Sequence, residues 1–135
     1  MVRVFDCRRP ASADQVTTLR LEIQDWAREA GLPTEVVDAV ALAAYEAMAN
    51  VVEHAYGDGD GSGAGSGTGT VDLHASIEDG TLTVTVADQG RWRPPPADPG
   101  LRGRGLALIE GLAGRATITP TGRGTTVRMR WPLSR

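Results

Sequence analysis

Lysine is absent from this 135-residue chain, so all fourteen of its basic residues are arginine. A Walker-type phosphate loop, which ends in Gly-Lys-Ser/Thr, is excluded with it, although GDGDGSGAGSGTG at 57–69 has enough glycine to suggest one. A single cysteine, Cys7, rules out an intrachain disulfide and any cysteine-based metal cluster, and favours a reducing, cytoplasmic setting. No apolar run approaches the roughly 20 residues of a membrane span. The opening MVRVFDCRRP lacks the apolar stretch of a signal peptide. The formal charge of -3 leaves no large cationic surplus, which disfavours nonspecific binding of nucleic acid but leaves a local arginine cluster able to hold a phosphate.

The length suits one core, so residues 1–135 are expected to form a single domain. MVRVFD alternates apolar and polar residues as a strand does, up to Pro10. Ser12 and Gln15 have capping-box spacing, and Val16, Leu19, Ile23, Trp26 and Ala30 recur at helical intervals, predicting a helix over 13–30. Thr34 after Pro33 opens a second helix, predicted to reach Tyr56. The glycine-rich stretch 57–69 has no large apolar side chain with which to offset the entropy of ordering and reads as a flexible loop. Two alternating strands follow, at 70–78 and 81–87, joined by the turn pair Asp79-Gly80. Proline and glycine preclude regular structure over 91–102; a short helix is expected from Gly105 to Leu112, and ATITPTGRGTTVRMRW closes the chain as a hairpin. This order predicts an α+β, two-layer sandwich: a mixed, mainly antiparallel sheet of up to five strands with three helices on one face.

Three polar groupings interrupt the packing pattern. Glu46 and Asn50 stand about 40° apart around the second helix and can address one ligand: a carboxylate to orient a hydroxyl, and an amide oxygen for a hard cation. Asp88 ends an apolar strand two residues before Gly90, where a carboxylate could accept from a purine amino group. Gly100, Gly103 and Gly105, with Arg102 and Arg104, precede a helix whose first amides could receive a phosphate. Each grouping has an ordinary alternative: a solvated helix stripe, a strand terminator, a surface loop. His54, one turn beyond Asn50, fits a satisfied helical histidine as well as a pocket rim.

In this order, YEAMANVVEHAY, VADQG, GLRGRGLALI and GTTVRMR resemble the ATP-binding module of the GHKL superfamily, nearest to the bacterial anti-sigma factors that are serine/threonine kinases. The resemblance runs from the first strand to residue 131 and implies a Bergerat-like fold with a short ATP lid over 91–102. It further implies Glu46 as the catalytic carboxylate, Asn50 as the magnesium ligand, and Asp88 and Gly90 at the adenine. Gly103 and Gly105 would face the phosphates and Thr125 would lie near the base. Arg104, and secondarily Arg102, are phosphate contacts suggested by charge. ATP with Mg2+ is the implied cofactor, an anti-anti-sigma protein of STAS type the acceptor, a sigma factor a second partner, and a homodimer the assembly. Trp92 departs from the family pattern by replacing a second glycine, and LAGR at 112–115 lacks an expected aspartate. The same residues would also serve an ATP-binding regulatory module without significant kinase activity.

Overall fold

The computed structural model describes residues 3–52, 69–88, 115–121 and 124–133. Its elements are β1 (Arg3–Pro10), α1 (Ala13–Glu29), α2 (Thr34–Asn50), β2 (Thr70–Glu78), β3 (Thr81–Asp88), β4 (Arg115–Thr121) and β5 (Gly124–Pro132). The strands form one sheet in the order β1-β2-β3-β5-β4, antiparallel at every junction.

This corrects the expected fold class in two respects. The sheet is not mixed: β3 and β4 run in the same direction, but β5 lies between them and makes each neighbouring pair antiparallel. Two helices, not three, pack on it among the described residues. The helix expected at 105–112, the loop expected at 91–102 and all but Gly69 of the loop expected at 57–69 lie outside those residues, as do positions 53–56 of the second predicted helix.

Local chemistry accounts for the element boundaries. Ser12 caps α1, its Oγ accepting from the Gln15 amide at 3.2 Å. Only half of the capping box forms, because the Gln15 side-chain oxygen instead accepts from Arg9 at 3.4 Å. Arg9 also reaches Glu22 at 2.9 Å and ties β1 to α1, and this hydrogen bond holds its guanidinium pKa above the usual range. Gly31, at φ +85, turns the chain between the helices. Val51 and Val52 continue beyond α2 in a π-helical conformation. Asp79 and Gly80 both have positive φ (54 and 73), as a two-residue type I′ hairpin between β2 and β3 requires. Pro120 is accommodated because β4 is an edge strand.

One face of the sheet meets the helices. Val71, Leu73, Ala75, Leu82, Val84 and Val86 alternate inward and pack with Leu19, Ile23, Val40, Ala44 and Met48 into a continuous core. Ala43, Ala44 and Ala47 are all buried, and side chains this small let α2 lie close to the strands. Trp26 is only half-buried and closes the β1 edge against Phe5, with ring centroids 6.0 Å apart.

Candidate functional site

Among the described residues two polar side chains are buried, and they are neighbours on the helix-facing side of the sheet. Asp88 is 7% exposed and Thr125 3% exposed. Asp88, the last residue of β3, pairs in register with Val71 on one side and with Thr125 on the other. The Thr125 hydroxyl is buried without a hydrogen-bond partner among the described residues. Leaving such a group unsatisfied costs about 1–3 kcal/mol, so its position asks for a ligand or another function.

Topology brings the α2 pair to the same end of the sheet. Pro10, Thr70, Asp88 and Thr125 lie along one border, where the Ala11 amide donates to the Gly69 carbonyl at 2.9 Å. From this border α1 runs its 17 residues, about 25 Å, roughly the length of an eight-residue strand. After a short turn α2 runs back over another 17 residues, so its last turn returns to the starting border. Glu46 and Asn50 sit in that last stretch and are half-buried.

The two flanks of α2 differ. Tyr45 receives the Arg20 guanidinium of α1 at 5.3 Å from its ring centroid, which marks the flank turned towards α1. Glu46 and Asn50 occupy the other flank of the buried stripe, away from α1. Periodicity in the sequence identifies the pair but carries no information on which flank α1 occupies.

The remaining candidates, Gly90, Arg102, Gly103, Arg104 and Gly105, lie outside the described residues, together with His54 and Trp92. His74 lies on the helix-free face, 45% exposed, with Nδ1 3.5 Å from Asp6. No group of three potential metal-ligating side chains occurs among the described residues. A single amide oxygen such as that of Asn50 nevertheless suits magnesium, which keeps most of its shell for water and phosphate oxygens. Among the described residues no helix is long and apolar enough to cross a membrane.

The motifs that place Asp88 and Thr125 each near a base do not show that the two pair across neighbouring strands. Strand alternation alone contained the signal: inward positions filled by an acid and a hydroxyl amid valine and methionine.

Comparison with known proteins gives this geometry its family. The model of the histidine kinase-like ATPase domain matches residues 9–131. The serine-protein kinase RsbW of Staphylococcus aureus strains JH9 and Newman is 25% identical over 140 aligned residues, which cover 93% of this chain and 84% of the relative. The crystal structure of the RsbU and RsbW domains of Rv1364c from Mycobacterium tuberculosis superposes with a TM-score of 0.75 at 25% identity. That alignment covers 98% of this chain but 33% of the larger one, so the chain spans about a third of that structure. With its ATP-binding signatures in order and its fold shared, the chain belongs to the histidine kinase-like ATPase domain family and is related to the bacterial anti-sigma factor kinases of RsbW type.

Proposed function

We propose that this protein is an anti-sigma-factor serine/threonine kinase that transfers the γ-phosphoryl group of ATP to a hydroxyl of an anti-anti-sigma protein of STAS type. The observation that carries this reading is the buried Asp88–Thr125 pair, whose hydroxyl has no hydrogen-bond partner among the described residues. A carboxylate beside an orphaned hydroxyl, in an otherwise apolar wall, fits the edge of a purine: one group accepts from an exocyclic amine, the other bonds directly or through water. Gly90 would let the base approach the backbone.

Bound ATP with Mg2+ supplies the transferable phosphoryl group and partial neutralisation of its oxygens. Asn50 offers a neutral oxygen to the metal. Glu46, one turn earlier, orients the acceptor hydroxyl and takes up its proton as the new P–O bond forms and the bond to the ADP oxygen breaks. Arg104, Arg102 and the amides after Gly103 and Gly105 would offset the phosphate charge.

Sequestration of a sigma factor, action as a homodimer and a cytoplasmic location complete the reading, supported by the likeness to RsbW. Trp92, in place of a family glycine, favours the second reading of an ATP-binding regulator without significant turnover. Equilibrium ATP binding followed by transfer of labelled phosphate to a copurified antagonist separates the two. Transfer that Glu46→Gln leaves intact would overturn the role given to Glu46, and magnesium-dependent binding without transfer to any partner would leave only the regulator.

A further inference from the structure

The two edges of the sheet are not equivalent. β4, at one edge, carries Pro120 in its interior, where it removes an amide from the strand. β1, at the other, pairs with β2 over all 8 of its residues without a bulge, and its only proline is the last residue. Among the described residues no strand lies on its outer side, so alternate amides and carbonyls of Arg3–Pro10 point away from the sheet. Such an edge is a template for another strand unless an interior proline, a bulge or like charge blocks it. β1 does carry charge, but of both signs: the side chains of Asp6 and Arg8 are 73% and 64% exposed.

We infer that β1 pairs antiparallel with β1 of a second copy, in the register centred on Cys7, so that two copies share one continuous sheet. The inference rests on the homodimer reading above and adds the strand and the register through which the copies meet. A two-fold axis perpendicular to the sheet keeps both helix layers on one side and leaves the helix-free face open.

Charge selects the register. Alternation puts Val4, Asp6, Arg8 and Pro10 on the helix-free side of β1 and Phe5, Cys7 and Arg9 on the helix side. Directly opposed residues of an antiparallel pair share a side, so with this axis the register is centred on one residue and not between two. Centring on Asp6 or on Arg8 opposes that charge to its own copy, and centring on Phe5 pairs only Arg3 to Cys7. Centring on Cys7 pairs Val4 to Pro10. Asp6 of each copy then stands opposite Arg8 of the other, and Val4, one of the exposed large apolar side chains, lies against Pro10.

The groups around the axis are compatible with this. Asp72 accepts from Nε and Nη2 of Arg8 at 2.6 and 3.2 Å, which leaves Nη1 to donate to the facing Asp6. On the helix side the acid nearest Cys7 is Glu22, whose carboxylate is 3.8 Å from the thiol and already accepts from Arg9 at 2.9 Å. Two such pairs meeting across the axis bring their own cations with them.

Cys7 is the sole cysteine and opposes itself in this register, with Cα atoms about 4.5–5.5 Å apart, a separation that a disulfide spans. The test follows the full chain by sedimentation and, after thiol oxidation with diamide, by non-reducing electrophoresis. A dimer that cross-links through Cys7 is expected. Asp6→Arg or Arg8→Asp alone should raise its dissociation constant at least about tenfold and suppress the cross-link. Mixing the two variants should restore both, because every opposed couple in the mixed pair is again of opposite sign. A chain monomeric under every condition would overturn the homodimer reading and this contact with it. Association without a cross-link, or association indifferent to both substitutions, keeps that reading and overturns the β1 contact.

Discussion

On the helix side of the sheet, β2, β3 and β5 present Leu73, Val84 and Met129 with no exposed surface; on the other side the same strands present His74, Thr85 and Arg128 in one row. Both faces contain polar residues, but they carry different weight. A threonine on the open face has water as a partner, and its presence says nothing about function. Thr125 and Asp88 stand on the apolar, helix-covered face, where desolvation must be offset by a specific partner. The difference locates a site from burial alone, without reference to motif.

The largest effect that would sharpen this contrast is on chemistry. Glu46→Gln retains the size and hydrogen-bonding reach of the side chain but cannot accept a proton. Single-turnover phosphotransfer should fall about 10²–10⁴-fold, while the urea midpoint moves little. A large loss of stability with transfer retained would return Glu46 to the merely structural side of the comparison.

Next comes the core itself. Leu73→Ala removes a fully buried side chain between β2 and the helices and should cost about 2–5 kcal/mol in urea unfolding. His74→Ala, one residue along the same strand but on the open face, should stay within about 0.5 kcal/mol. Equal costs would mean that the open face is covered in solution.

A third effect lies in binding. Asp88→Asn keeps the shape of the acid while exchanging an acceptor oxygen for a donor. A hydrogen bond to a charged group contributes about 1.5–3 kcal/mol, so calorimetric ATP affinity should fall by at least about tenfold. If affinity is unchanged, the acid belongs to the sheet border and not to the base.

Much of this architecture is legible in the amino-acid sequence. The strands expected at 70–78 and 81–87, the second one residue short of its observed end, the turn at Asp79-Gly80 and the start of α1 at Ser12 follow from local periodicity and capping, which depend on neighbours along the chain. The insertion of β5 between β3 and β4 is not legible there, because strand order is decided by long-range register that alternation leaves open. The same limit applies to the site. Helical spacing puts Glu46 and Asn50 together, but only the return of α2 to the border of Thr70 and Asp88 brings that pair to the end of the sheet where Thr125 lies.

Thr125 offers the smallest effect and the sharpest discrimination between a residue kept for the fold and one kept for a ligand. Valine has nearly the shape of threonine, so Thr125→Val leaves packing in place and removes a hydroxyl that has no partner among the described residues. If the residue served the fold, its loss would destabilise the protein by the worth of a hydrogen bond. Since no described residue makes such a bond there, unfolding free energy should stay the same or rise by up to about 1 kcal/mol as the desolvation penalty disappears. The nucleotide-bound state should respond in the opposite direction. A neutral hydrogen bond is worth about 0.5–1.5 kcal/mol, so ATP affinity should weaken by roughly two- to tenfold, and the thermal stabilisation produced by saturating ATP should shrink accordingly. Opposite signs in the free and liganded protein cannot arise from packing, because packing is common to both. A loss of stability without ATP, or an unchanged affinity with it, would place Thr125 among the ordinary threonines of the sheet.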